Sequence, residues 1–125
     1  MRKINYLLIA TIVAMLGLFI SSCEKEKNEV NMIIKNWTLV SKTVAGLNIA
    51  TSCETNSKWN FKNDGTYIIN DICNNTKTGT WKVADDGKTL TVDNNTIYQV
   101  IDNSLSNLVI ELQVGEFGLV RWTFN

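Results

Sequence analysis

From Trp37 to Phe124 the chain alternates short apolar–polar runs with clusters of Gly, Asn and Asp, and the sequence contains no proline. Successive side chains of a strand point to opposite faces, so runs of this kind read as half-buried strands. The connections are mostly far shorter than the dozen residues a parallel crossover needs, which forces antiparallel hairpins. Eight strands follow: Trp37 to Val44, Lys58 to Lys62, Thr66 to Ile72, Thr80 to Val83, Thr89 to Val92, Thr96 to Ile101, Leu108 to Val114 and Leu119 to Phe124. Asn63-Asp64-Gly65, Asp85-Asp86-Gly87, Asp93-Asn94-Asn95 and Gly115-Glu116-Phe117-Gly118 are the turns between neighbours. The expected fold class is all-β, a small eight-stranded antiparallel up-and-down meander barrel. Joining first strand to last removes the exposed edges that an open meander would leave.

The first tight hairpin sets a register. If Asn63-Asp64-Gly65 is a three-residue loop with Gly65 left-handed, Lys62 faces Thr66, Phe61 faces Tyr67 and Trp59 faces Ile69. The connection Ala45 to Ser57 is the long one, and is the natural lid for one mouth of the barrel.

Residues 1–22 read as an export signal. Arg2 and Lys3 form a positive start, and Tyr6 to Ile20 is apolar apart from Thr11, a length that suits a signal segment and is short for a membrane-spanning helix. The segment ends Ile20-Ser21-Ser22-Cys23, which resembles the lipobox of bacterial lipoproteins. That resemblance implies cleavage before Cys23 and attachment there of diacylglycerol and further acyl chains such as palmitate, enough for stable anchoring. Residues 23–36 then form a tether and lead-in: Glu24 to Glu29 is charged, and Val30 to Asn36 is expected to make a short helix with Val30, Ile33 and Ile34 on one side. Residues 37–125 are the domain. The expected location is the cell envelope, lipid-anchored, with Glu24 after Cys23 favouring the outer membrane.

With Cys23 lipidated, Cys53 and Cys73 remain as an even pair in an oxidising compartment, and a disulfide between them is expected. Two buried free thiols are the alternative.

Composition excludes several functions. Removing Arg2 and Lys3 from the twelve basic residues leaves ten against twelve acidic ones, a balance that argues against nucleic acid, which needs a basic face. There is no histidine, which removes the usual general base and metal ligand near neutral pH. Ser104 and Ser106 have no base to activate them. The Asp-Gly pairs lack the spacing of a calcium loop and read as turns. No catalysis, cofactor or metal site is expected.

Trp37-Thr38-Leu39-Val40 opening the first strand, a long loop with one cysteine, Phe61-Lys62-Asn63-Asp64-Gly65-Thr66-Tyr67, a second cysteine, and Gly79-Thr80-Trp81 form a pattern in order. Ile101-Asp102-Asn103-Ser104-Leu105 leading into Leu108-Val109-Ile110 extends it. The pattern resembles the lipocalin-like domain lipoproteins of Bacteroidetes over essentially Trp37 to Phe124. The resemblance implies a small meander barrel and little about chemistry. It departs from true lipocalins in carrying Lys35 where their opening motif has glycine. In their barrels a late basic side chain packs over the opening tryptophan, which implies Arg121 over Trp37 as a closure contact.

Trp59, Phe61 and Tyr67 share one hairpin face, and Trp81 follows on the next strand. Two readings of this set stay open: lining for a small apolar ligand held at the wider mouth, or filling of a barrel just wide enough for its own side chains. The functional expectation is a membrane-anchored, non-catalytic binding module for a small apolar ligand. The alternative is a non-catalytic module with a filled barrel that contacts another envelope protein.

Overall fold

Asn63-Asp64-Gly65 forms the turn that phases the whole meander. Gly65 is left-handed (φ 83°), the Lys62 and Thr66 backbones bond across the loop at 2.9 Å, and the Asp64 carboxylate accepts from the Thr66 N–H at 2.9 Å. The pairs Phe61–Tyr67 and Trp59–Ile69 follow as the loop length requires. The computed structural model describes residues 32–125. It contains β1 Asn36–Val44, β2 Leu47–Asn48, β3 Lys58–Phe61, β4 Thr66–Asn70, β5 Thr76–Val83, β6 Thr89–Val92, β7 Thr96–Asn103, β8 Leu108–Val114 and β9 Gly118–Phe124, with a 3-10 turn over Gly115–Phe117. β2 is a two-residue flap on β1, and the other eight strands form the ring.

Pairing of β1 with β9 closes that ring, as expected. Two strands turn the corners of the barrel. β1 pairs with β3 through Asn36–Thr38 and with β9 from Leu39 onward, and β5 pairs with β4 through Thr76–Thr80 and with β6 through Trp81–Val83. Val40 is an extra residue in β1, between Leu39 opposite Phe124 and Ser41 opposite Thr123. A bulge reverses the in–out phase. Trp37 and Leu39 point inward before it, and Lys42 and Val44, opposite Trp122 and Val120, point inward after it.

The end at which β1 begins is sealed. Trp37, Leu39, Phe61, Tyr67, Leu90, Leu108, Ile110 and Phe124 are at most 1% exposed, so the interior there is packed with the protein's own side chains. Ile33 is also fully buried, and its carbonyl accepts from Trp37 Nε1 at 3.0 Å. The lead-in differs from the expected helix over its last three residues, since Ile34 and Lys35 form a bend and Asn36 is already strand. Met32 and Ile33 are helical, but Asn36 opens β1, because the Lys35 carbonyl is already taken by the Phe61 N–H at 3.2 Å. Val30, the signal segment, the charged tether and Cys23 lie outside the described residues.

The closure contact also differs. Arg121 stands between inward Val120 and Trp122 and so faces outward, where its Nε and Nη2 donate to Glu111 at 3.1 and 2.5 Å. The period of two keeps it off the Trp37 ring. Lys35 takes that place, with Nζ 4.2 Å from the ring centroid and donating to the Leu105 carbonyl at 2.6 Å.

Gly79 marks a tight spot in β5. A Cβ there would fall 2.7 Å from Tyr67 Cε1 and would collide with the Asp93 carboxylate. Overpacking of this kind costs about 1–3 kcal/mol. Gly79→Ala is therefore expected to destabilise the domain by that amount in urea unfolding; a change below about 0.5 kcal/mol would mean that Tyr67 and Asp93 yield freely.

Candidate ligand-binding surface

The four aromatics singled out from the sequence do not form one lining. Phe61 packs edge-on to Trp81 at 5.5 Å and tilted to Tyr67 at 6.3 Å, whereas Trp59 packs edge-on to Phe124 at 5.0 Å. Their polar tips are satisfied from within. Trp59 Nε1 donates to Ser57 Oγ at 3.1 Å, Trp81 Nε1 to the Lys62 and Thr66 carbonyls at 3.0 and 2.9 Å, and the Tyr67 hydroxyl to Asp93 at 2.8 Å. Buried indoles and phenols need such partners, and here the protein supplies them rather than presenting the groups to a ligand.

Asp93 holds this corner together. Its two oxygens accept from the Tyr67 hydroxyl and from the Thr80 N–H at 3.1 Å, which satisfies a β5 backbone donor just where β6 gives out. The Tyr67 bond, and then the Thr80 one, hold the Asp93 carboxyl below the ordinary aspartate range, while burial and then the Asp93 carboxylate push the Tyr67 phenol up. Asp64 is lowered by the Thr66 hydroxyl and amide, and Asp71 by the backbone and then the side-chain amide of Asn75. Carboxyls depressed in the fold stabilise it fully above their unfolded value, about 3.9, and lose that contribution as pH falls through the lower folded value. Urea midpoints are thus expected to hold between pH 7 and 5 and to fall below about pH 4, with a shallower fall in Asp93→Asn. Equal pH slopes in the two proteins would remove Asp93 from this account.

The expected lid is stitched down. Cys53 and Cys73 form the disulfide, with Cα atoms 5.3 Å apart, and tie the long connection to the turn between β4 and β5. Backbone bonds from Asn56 to Leu39, from Leu39 to Ser57 and from Ile49 to Lys42, at 3.0, 2.9 and 2.7 Å, fasten it along β1.

A cleft of about 460 Å³ opens at the far end of β1, between two turns that close together only through the β1–β9 pairing. Thr43, Val44, Ala45 and Gly46 form one side and Phe117, Gly118 and Leu119 the other, with the outward-facing Arg121, opposite Thr43, also bordering it. Ala45 and Gly46 are both left-handed (φ 50° and 81°), as a two-residue I′ turn demands. Phe117 is 63% exposed, Leu119 48% and, just beyond, Leu47 72%. None of Trp59, Phe61, Tyr67 or Trp81 borders the cleft. Sequence reading passes over these residues because Phe117 and Leu119 sit in and beside a turn, some seventy residues from Val44. A signal exists for the inward Lys42: the apolar phase of β1 switches from Trp37 and Leu39 to Val44, which marks a bulge. Among the described residues no cluster of His, Cys, Asp or Glu fit to hold a metal ion occurs.

A family model described as a lipocalin-like domain matches residues 33–112. The match begins at the buried Ile33 and stops within β8, so the strand that closes the ring lies beyond it. No curated protein matches the chain.

Proposed function

The chain belongs to the lipocalin-like domain family, and from that premise we propose that it is a non-catalytic binding module of the bacterial cell envelope. It is anchored through a lipid on Cys23 after removal of residues 1–22, on the outer membrane, and takes a small apolar ligand in the cleft on the outer rim at the far end of β1. The lipocalin-like barrel is typically a non-catalytic binding fold, which supports the first part. The observation that carries the second is the apolar cleft between the Val44–Leu47 and Val114–Leu119 turns, set against an interior already filled around Phe61, Tyr67 and Trp81.

The described chain enters at the sealed end, and the cleft lies at the other end of β1, about 25–30 Å away for a nine-residue strand. With the lipid on Cys23, the anchor joins the domain at the sealed end rather than at the cleft. Cys23→Ala is expected to leave an uncleaved precursor, and normal processing of that variant would defeat the anchor.

Binding is tested with the neutral dye N-phenylnaphthylamine. A saturable rise in dye emission is expected, weakened about tenfold by Phe117→Ser or Leu119→Ser, since burying one such side chain contributes roughly 1.5–3 kcal/mol. Trp81→Phe should leave it unchanged. The reverse pattern would return the site to the barrel interior.

A second reading, a docking surface for another envelope protein, is favoured by the large apolar side chains exposed at the same end, Leu47, Phe117 and, at 58%, Ile72. A photo-crosslinker at Phe117 that captures one defined protein in cells, with no dye saturation, decides for it.

A further inference from the structure

The outer face of the barrel runs from the apolar cleft to a covered carboxylate. Leu119 borders the cleft, and Arg121 lies two residues on along the same outward face, about 7 Å away. Thr43 stands opposite Arg121 on β1, and both line the cleft as well, so its apolar wall and its polar edge belong to one surface. On the other side of Arg121, across the β8–β9 ladder, is Glu111. Glu111 is only 7% exposed, whereas the Arg121 side chain is 51% exposed. One Glu111 oxygen accepts from both Nε and Nη2 of Arg121, and among the described residues no other side chain bonds this carboxylate. Arg121 Nη1 and the Thr43 hydroxyl donate to no described residue.

This arrangement discriminates by charge. A carboxylate as covered as Glu111 depends on its cation, and taking the partner from such a group is strongly unfavourable. An anionic head at Arg121 would either draw the guanidinium from Glu111 or lie beside Glu111 as a like charge. A neutral acceptor needs only the donors left over, and a carbonyl oxygen has two lone pairs to meet Nη1 and the Thr43 hydroxyl. Resting on the reading of the cleft as the ligand site, we propose that its ligand is a neutral apolar carbonyl compound, an ester, amide or ketone, and that the Glu111–Arg121 pair excludes the corresponding acid. The apolar body lies against Phe117 and Leu119, and the carbonyl accepts from Arg121 and Thr43. Glu111 acts through Arg121 as a positioning residue, and selects by what the wrong ligand would leave unpaired.

The test uses the isotope-labelled full chain in phosphatidylcholine nanodiscs at neutral pH. The two ligands carry the same heptyl chain on a carbonyl: methyl heptyl ketone and octanoate. The amide resonances of Gly46 and Gly118 report occupancy of the cleft, and free ligand is calibrated against empty discs. The ketone is expected to shift them saturably and to bind about tenfold more tightly than octanoate. Glu111→Gln should strengthen octanoate about tenfold and leave the ketone within about twofold, a gain for one ligand that structural damage does not produce. Thr43→Val should weaken the ketone several-fold, as for one lost hydrogen bond, and an unchanged ketone affinity overturns the carbonyl assignment. Octanoate affinity unmoved by Glu111→Gln overturns the role of the pair. If Glu111→Gln fails to fold, the wild-type comparison decides: octanoate binding as tightly as the ketone overturns the discrimination and leaves the apolar cleft standing. Saturation by neither ligand overturns the cleft and the ligand class together.

Discussion

Trp37→Ala is expected to cost about 3–5 kcal/mol, the range for truncating a fully buried tryptophan. The side chain is wholly inaccessible and closes the sealed end beneath Ile33. Truncation leaves a cavity in a packed interior, strips the Ile33 carbonyl of its partner at 3.0 Å, and takes away the ring under Lys35. A domain of this size has only about 5–15 kcal/mol in total, so the variant should sit near its unfolding threshold at room temperature. Urea denaturation should show a large fall in midpoint with an unchanged slope, and Leu105→Ala, at a side chain 81% exposed, serves as the neutral control. A cost below about 1.5 kcal/mol would mean that Ile33 and Phe61 collapse into the space, and that the sealed end is less tightly packed than its burial indicates.

The Cys53→Ser/Cys73→Ser double variant is expected to lose about 3 kcal/mol, as the chain-entropy estimate gives for a separation of 20 residues. The tie matters beyond the unfolded chain. It joins the connection that carries Glu54 to the turn after β4, a turn otherwise held by Asp71, whose carboxylate accepts from the Cys73 and Asn75 amides at 2.9 Å. Reducing the wild-type protein should shift its midpoint by the same amount as the substitutions. Two titratable thiols in the denatured, unreduced protein would overturn the bridge, and a loss under about 1 kcal/mol would show that the backbone bonds to Leu39 and Lys42 suffice on their own.

Much of the fold was legible because its causes are local. Lys58 to Lys62 and Thr66 to Ile72 could be placed and paired since three turn residues with glycine last permit one register, and the pairs Phe61–Tyr67 and Trp59–Ile69 follow from it. β6 and β8 have the expected bounds because turn residues flank clean alternations. β5 starts earlier than expected, at Thr76, since Thr76-Lys77-Thr78-Gly79 carries no apolar signal and is a strand by virtue of pairing with β4. β2 was missed for the same reason: two exposed residues acquire strand geometry from β1 alone.

The site was less legible. The aromatic face was read correctly as a face, yet whether it lined a cavity or filled one depended on what stood across the barrel. Phe124, Asp93 and the carbonyls of Lys62 and Thr66 settle that, and all but the last two are far from these aromatics in sequence. The family resemblance implies Arg121 over Trp37, but the parity of its own strand turns it outward.

The sequence by itself determined the class of fold, the order and direction of the strands and the first hairpin register, because turn chemistry and the two-residue period act over a few positions. The Cys53–Cys73 pair and the ring closure are expectations from cysteine parity and from removal of exposed edges, which the structure bears out. Only the tertiary structure decided that Val40 bulges and brings Lys42 inside, that Lys35 rather than Arg121 covers Trp37, and that Val44 meets Phe117 across a cleft. Those outcomes depend on the stagger with which β9 closes onto β1, a relation between segments some eighty residues apart that no local pattern encodes.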